Sequence, residues 1–200
     1  MSYLNKVAVQ LTAAKGSTPY QVHQGWVKEA RRVYSPHFNA RPNGEVSLLV
    51  VHNISLPAGC FGLPYIDHLF LGCLNCDEDI SFQALEGLKV SAHFLIRRDG
   101  ELVQYVSCDD RAWHAGVSKF EERDNCNDFA LGIELEGTDD IAYTDEQYCT
   151  LMALSNTLMA VYPKLNKERI VGHCDIAPER KTDPGQSFDW NRYLAGLIPS

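Results

Sequence analysis

Long apolar runs are absent from this chain of 200 residues, and no segment approaches the roughly 20 apolar residues that a membrane-spanning helix needs. Runs of basic residues are absent too, since 18 lysines and arginines stand against 26 aspartates and glutamates, for a formal net charge of −8. Proteins that neutralise a nucleic-acid backbone need a positive surface. The sequence therefore predicts no nucleic-acid partner and no membrane partner, and no obligate protein partner is evident.

No secretory signal is expected either, because the first residues, MSYLNKVAVQLTAAKGS, lack the basic and then apolar pattern of such a peptide. Seven cysteines are an odd number, which without a signal predicts reduced thiols and a cytoplasmic location. Cys73 and Cys76 form a C-x-x-C pair, but no second pair stands at zinc-ribbon spacing. We expect two free thiols near a loop there.

What the chain does contain is a set of short strand patterns. SLLVVH, residues 47–52, is a nearly continuous apolar run, as in strands buried on both faces. FALGIELEG, residues 129–137, predicts another strand, and RIVGH, residues 169–173, a last short one. VSAHFLIRRDGELVQYV, residues 90–106, predicts a hairpin with an Asp-Gly turn.

Helix patterns are interspersed among these strands. The clearest helix begins at Thr144, where Gln147 completes a capping box, and ends before Pro163. Shorter helices are predicted around residues 25–33, 81–88 and 187–197. This mixture predicts a single α/β domain with a central mixed β-sheet flanked by helices.

Two histidines share one local setting. His52 ends the strand SLLVVH, and His173 ends the strand RIVGH. Strand ends that open onto loops are common positions for active-site groups. A catalytic zinc ion takes three protein ligands and leaves a fourth position open, so a third ligand is needed.

The segment GHCDIAPERKTDPG, residues 172–185, offers that third ligand. Its candidates are Cys174, Asp175, Glu179 and Asp183. Cys174 follows His173 directly, and neighbours on an extended chain point to opposite sides. Asp183 precedes Pro184, which restricts it to extended geometry, so that Lys181 and Asp183 project from the same side. Asp183 is therefore the better candidate.

A base that activates water is expected on the strand GIELEG. Glu134 shares one side of this strand with Ala130 and Gly132, which leave room for a substrate in front of it. Glu136 lies on the same side, so alternation along the strand does not decide between the two acids.

Several motifs together resemble a known family. VVHNISLPAG, VSAHFLIRRDG, RAWHAGVS, NDFALGIELEGTD and GHCDIAPERKTDPG closely resemble the AmpD-type anhydro-N-acetylmuramyl-L-alanine amidases. This group is related to phage-lysozyme-type amidases and to peptidoglycan recognition proteins. The resemblance covers roughly residues 25–193. It implies a zinc amidase catalytic domain of the recognition-protein-like fold in residues 25–200, after an N-terminal extension in residues 1–24.

The resemblance also implies roles for individual residues. The ligands of one zinc ion would be His52, His173 and Asp183. Glu134, rather than Glu136, would be the base that takes a proton from water, and Lys181 would stabilise the oxyanion. Cys174 stays a rival to Asp183, because phage relatives use a cysteine as third ligand.

Five further residues are candidates for substrate binding. Asn53 and Arg180 match positions near the muropeptide in the family. Lys89 stands where the family has an arginine, and lysine does not make the same bidentate contact with a carboxylate. Trp113 and His114, in the motif RAWHAG, are candidates for a wall against the sugar or the peptide.

The implied reaction is hydrolysis of the amide between the lactyl group of anhydro-N-acetylmuramic acid and L-alanine in cytoplasmic muropeptides, as in peptidoglycan recycling. Two alternatives stay open: a zinc amidase that acts on intact peptidoglycan, and a muropeptide-binding module without catalysis. A gluzincin-type protease is excluded at the level of motifs, because the sequence has no H-E-x-x-H.

Overall fold

The computed structural model of the chain describes residues 20–198. The predicted N-terminal extension lies largely outside these described residues. Within them the strands are β1 (Val22–His23), β2 (Trp26–Val27), β3 (Arg31–Arg32), β4 (Phe38–Ala40), β5 (Leu48–Ile54), β6 (Phe94–Ile96), β7 (Leu102–Gln104), β8 (Asp110–Ala112), β9 (Lys119–Phe120), β10 (Arg123–Asp124), β11 (Ala130–Glu136) and β12 (Ile170–Gly172). The α-helices are α1 (Tyr65–Leu71), α2 (Asp145–Val161), α3 (His173–Ile176) and α4 (Trp190–Ala195), and the 3₁₀ helices are Ile80–Leu85, Cys126–Asp128 and Lys167–Arg169.

A six-stranded sheet in the order β12-β5-β11-β6-β7-β3 forms the centre of the fold. Strands β12, β5, β11 and β6 run parallel to one another, whereas β6 and β7 form an antiparallel hairpin. The predicted α/β domain with a central mixed sheet is confirmed, and so is the predicted hairpin. The predicted zinc amidase fold is compared with solved amidase structures below.

The pairing of β5 with β11 is the longest in the sheet and sets its register. It runs from Leu48 opposite Ala130 to Ile54 opposite Glu136, and it places His52 opposite Glu134. Directly paired residues on neighbouring strands point to the same face of a sheet. His52 and Glu134 therefore project side by side from one face.

The two faces of these strands bury different cores. Leu49 and Val51 of β5, with Leu131 and Ile133 of β11, pack in the cluster that includes the buried leucines of α2. Leu48, Val50 and Ala130 belong to a separate cluster on the other face, beside Phe129 and Ile176. Since alternate residues share a face, His52 and Glu134 lie on the face opposite α2.

The helix predicted from Thr144 is confirmed as α2, which ends at Val161. The Thr144 hydroxyl accepts from the Gln147 amide at 3.1 Å, and the Gln147 side chain accepts from the Thr144 amide at 3.1 Å. The helices predicted near residues 81–88 and 187–197 are present as the 3₁₀ helix Ile80–Leu85 and as α4. No helix among the described residues is long and apolar enough to cross a bilayer.

The helix predicted for residues 25–33 is wrong, because this segment forms β2, β3 and turns. Gly25 has a φ of 73°, which does not fit a right-handed helix. The buried Gln104 side chain fixes the segment instead: its oxygen accepts from the Val27 amide, and its nitrogen donates to the Gly25 carbonyl, both at 2.8 Å. A distant side chain thus decides this local structure.

The ends of two site strands also differ from the prediction. β5 continues past His52 to Ile54, and β12 stops at Gly172, so that His173 is the first residue of α3. Both histidines stay at the carboxyl ends of neighbouring parallel strands, because Gly172 pairs with Val51.

The α2 cap gives a stability prediction. We expect Thr144→Ala to lower the free energy of unfolding by about 1 kcal/mol, because it removes the side-chain acceptor of the helix N-terminus. Thr144→Ser should unfold close to the wild-type protein, because it keeps the hydroxyl. Urea unfolding measures both, and equal midpoints for Thr144→Ala and the wild-type protein would show that the cap does not contribute.

Candidate metal centre

Three side chains far apart in the sequence meet at the carboxyl ends of β5 and β12. The Nδ1 atoms of His52 and His173 lie 2.9 Å apart, and each lies 3.0 Å from Oδ2 of Asp183. Among the described residues, this is the group of three potential ligands whose donor atoms lie close enough to hold one ion. We call these three residues the ligand triangle.

Close packing of loops brings Asp183 to the two histidines. The amide of Cys174, in α3, donates to the Asp183 carbonyl at 3.0 Å. Gly172 allows Pro184 to approach, since a Cβ at position 172 would lie 2.8 Å from Pro184 Cδ. Glycine at the end of β12 is thus needed for the loop to close over the strand.

The triangle fits a metal ion on its donor chemistry. Nε2 of His173 lies 3.1 Å from the carbonyl of Ala115, which only accepts hydrogen bonds, so Nε2 carries the proton and Nδ1 presents a lone pair. Burial lowers the pKa of His52 to about 4, so its imidazole is neutral near pH 7. Two imidazole nitrogens and a carboxylate oxygen are a donor set of catalytic zinc.

The Asp183 carboxyl supplies the negative charge of the triangle. Cys174 is not part of the triangle, and its thiol faces the Asp175 carboxylate, with 3.9 Å between Sγ and Oδ1. The structure thus brings Asp183, and not Cys174, to the two histidines.

Glu134 lies beside the triangle and is only 8% exposed. Its Oε2 atom is buried and has no hydrogen-bond partner among the described residues. Burial, with a smaller contribution from the charge of Asp183, raises its pKa well above the ordinary range. Glu134 also lines a cleft, and buried acids with perturbed pKa values are typical of functional sites.

Glu136, the other candidate base, is 1% exposed and fully engaged in the fold. Its carboxylate accepts from the Gly62 amide at 2.7 Å, from Arg97 Nη1 at 3.1 Å and from the Arg98 amide at 3.2 Å. These bonds tie the loop before α1 and the β6–β7 hairpin to the end of β11. The two acids share a face of the strand, yet only Glu134 has a free oxygen.

Two clefts meet at the triangle. One, of about 250 Å³, is lined by the triangle with Glu134 and Lys181, and by an apolar wall of Leu56, Leu69, Phe70, Leu85, Leu88, Val90 and Trp113. The other, of about 500 Å³, is more polar and includes Asn53, Asp139, Arg180 and Thr182. Lys181 and Asp183 line both clefts, whereas Thr182 lines only the second, as expected if Thr182 faces away from them.

The predicted substrate-binding residues line different cavities around the triangle. Asn53 lines both clefts, and its side-chain nitrogen donates to Asp139 at 2.8 Å. Trp113 lines the apolar cleft, and its indole donates to Asn39 at 2.8 Å. Lys89 is exposed and lines a separate cavity of about 130 Å³, which shares Leu69, Leu85 and Leu88 with the apolar cleft.

Arg180 and His114 make contacts that the sequence did not predict. Arg180 lines the polar cleft, but its Nη2 atom donates to the carbonyls of Ala115 at 2.7 Å and Val117 at 2.9 Å. His114 lines the apolar cleft, and its Nδ1 atom lies 3.0 Å from Nε2 of His52. His114 thus contacts a residue of the ligand triangle, and Arg180 contacts the carbonyl that also faces His173.

Gly132, which lies on the same face of β11 as Glu134, has no open space in front of it. The ring of His114 fills this space, so that a Cβ at position 132 would lie 2.4 Å from its Cγ atom. Asn127 was missed by the sequence analysis: its Oδ1 accepts from the amides of His114 at 3.1 Å and Ala115 at 2.8 Å. A glycine within a bulky buried strand signals close approach of another group, which could have pointed to this packing.

Comparisons with known proteins identify the family of this chain. The sequence pattern of the family described as N-acetylmuramoyl-L-alanine amidase matches residues 40–186. The chain is similar to the 1,6-anhydro-N-acetylmuramyl-L-alanine amidase AmpD of Citrobacter freundii, with 59% identity over 178 residues, 88% of this chain and 95% of the relative.

Solved structures agree as well. A crystal structure of a selenomethionine derivative of AmpD aligns with a TM-score of 0.87 and 57% identity, over 89% of this chain and 99% of that one. AmpDh3 of Pseudomonas aeruginosa, solved in complex with anhydromuramic pentapeptide, aligns with a TM-score of 0.57 and 31% identity, over 82% of this chain and 65% of that one. The resemblance to AmpD-type amidases and their fold is confirmed, and the chain belongs to the N-acetylmuramoyl-L-alanine amidase family.

Proposed function

We propose that this amidase is zinc-dependent and hydrolyses the amide between the lactyl group of anhydro-N-acetylmuramic acid and L-alanine. The observation that carries the proposal is the ligand triangle of His52, His173 and Asp183 beside the free Glu134 oxygen. The bond follows from the similarity to AmpD proteins, which are 52–60% identical to this chain and are named for that amide.

The ligand triangle would hold one zinc ion through Nδ1 of both histidines and Oδ2 of Asp183. When bound, zinc supplies Lewis-acid chemistry that polarises an amide carbonyl and makes a nearby water more acidic. Zinc is the favoured ion because two imidazoles and one carboxylate are a ligand set of known zinc hydrolases.

Glu134 is the proposed general base. Its carboxylate takes the proton of the attacking water and then delivers it to the departing nitrogen of alanine. Lys181 lies at the junction of the two clefts and close enough to lower the pKa values of both His52 and Glu134. Its ammonium group opposes the negative charge that develops on the carbonyl oxygen.

The two clefts suggest which part of a bound muropeptide each of them holds. The apolar wall with Trp113 suits the faces of the anhydro sugar, and the polar cleft with Asn53 and Arg180 suits a stem peptide that carries carboxylates. Lys89 lies farther out and would act on a carboxylate only as a point charge. A soluble fragment as substrate agrees with the predicted cytoplasmic location.

Metal removal tests the cofactor. We expect a strong chelator to abolish the release of peptide from soluble anhydro-muropeptide, because without an ion nothing polarises the carbonyl. Zinc should restore activity at one ion per chain, with metal content measured on the same sample. Full activity of metal-free protein would refute zinc dependence.

The same release assay separates the alternatives. Purified peptidoglycan sacculi, offered in parallel, should be cleaved poorly compared with the soluble fragment. Faster cleavage of sacculi would favour an amidase of the intact polymer. Binding of the fragment by the zinc-loaded protein, without release of peptide, would favour a binding module.

Substitution of Glu134 tests the base. We expect Glu134→Gln to retain zinc and lower kcat by at least about 100-fold, because it removes the proton acceptor but keeps the shape of the side chain. His173→Ala should lose both zinc and activity. Glu136→Gln is the matched control, and its folded fraction should stay active. Near-normal turnover of Glu134→Gln would show that the base is wrongly assigned.

Substitution of Lys181 tests the oxyanion partner. We expect Lys181→Met to lower kcat by about 100- to 1000-fold, as removal of one oxyanion donor does in other hydrolases. Zinc content and KM should change little. Lys119→Met, at an exposed lysine in β9, is the control. A large rise in KM with unchanged kcat would instead assign Lys181 to substrate binding.

A further inference from the structure

Two neighbouring residues of one loop each contact one imidazole of the ligand triangle, on the side of the ring that faces away from the triangle. His114 Nδ1 lies 3.0 Å from Nε2 of His52, and the Ala115 carbonyl lies 3.1 Å from Nε2 of His173. In each histidine this is the ring nitrogen that does not take part in the triangle. The partner of that nitrogen decides which nitrogen carries the proton.

The two contacts differ in what they dictate. The carbonyl of Ala115 accepts and never donates, so it fixes His173 with its proton on Nε2. A histidine partner is ambiguous, because His114 Nδ1 either accepts a proton from His52 or donates one to it. Donation by His114 would put the proton of neutral His52 on Nδ1 and block its lone pair in the triangle. Acceptance by His114 leaves that lone pair free.

The surroundings of His114 hold its ring in one place. Its plane lies against the backbone of Gly132, where a side chain would collide with it. Asn127 Oδ1 accepts from the amides of both His114 and Ala115. His93 packs on the ring with centroids 5.7 Å apart, and its own Nδ1 accepts from the Gly132 amide at 3.0 Å. The ring is therefore presented to His52 by a rigid support.

His114 Nε2, the other ring nitrogen, is buried and has no hydrogen-bond partner among the described residues. No described residue donates a hydrogen bond to Nε2 or accepts one from it. The ring is therefore free to carry its proton there and to use Nδ1 as an acceptor, which is the arrangement that metal binding by His52 requires.

We propose that His114 is a positioning residue of the metal centre: its Nδ1 accepts the Nε2 proton of His52 and so keeps Nδ1 of His52 as a metal donor. The inference deepens the proposed function and rests on its metal site. This role differs from the predicted role of His114 as a wall for the substrate. Partners of this kind behind metal-bound histidines typically change metal affinity by about 10- to 100-fold.

Two substitutions of His114 test the acceptor directly. We expect His114→Phe to weaken zinc binding by about 10- to 100-fold, measured by competition with a chromophoric chelator. His114→Asn should retain nearly wild-type affinity, because its side-chain oxygen can occupy the position of Nδ1. KM should change little in both. Wild-type affinity in His114→Phe, or equal losses in both variants, would overturn the proposal.

A second set of variants moves the ring without changing its chemistry. Gly132→Ala should weaken zinc binding, because the new methyl group displaces the His114 ring from His52. In a His114→Ala background the same change at Gly132 should have little further effect, since the colliding ring is gone. Fully additive losses would show that Gly132 acts independently of His114 and would count against the proposal.

The wild-type protein itself provides a test that does not depend on the folding of any variant. Nitrogen-15 NMR of labelled histidines in the zinc-loaded protein should show protons on Nε2 of His52, His114 and His173. A proton on Nδ1 of His114 would overturn the inference while leaving the metal site intact. Failure of the wild-type protein to bind zinc at all would overturn the proposed function, and the inference with it.

Discussion

The parallel pairing of β5 with β11 is the interaction on which the site depends. It places His52 opposite Glu134, and it makes both side chains project from the face that α2 does not cover. The apolar residues that alternate with them are buried under α2, so a shift of register by one residue would exchange the core face for the site face. The hydrophobic core therefore specifies where the imidazole and the carboxylate stand.

The two acids of β11 show how position along one strand decides what a carboxylate does. Glu136 lies at the strand end, where Arg97 and two backbone amides satisfy it. Glu134 lies two residues earlier, and one of its buried oxygens has no partner among the described residues. A buried carboxylate without full compensation is costly to the fold. Such a cost is typical of a group that is retained for its chemistry.

The sequence predicted the elements whose patterns are local: the buried strands, the hairpin and the capped helix α2. It failed for residues 25–33, because Gln104, a distant residue, holds their backbone. The convergence of His52, His173 and Asp183 followed from strand ends, loop geometry and family resemblance. The contact of His114 with His52 could not be predicted from the sequence. It depends on packing of the His114 ring over Gly132, which spacing along the chain does not encode.

Asn127 joins the supports of the two imidazoles through one amide oxygen, since the backbone nitrogens of His114 and Ala115 both donate to it. An ion bound by both imidazoles would therefore also stabilise the loop arrangement that Asn127 holds. By thermodynamic linkage, any free energy by which the ion ordered this loop would equally strengthen binding of the ion. The loop and a bound ion would then form one cooperative unit.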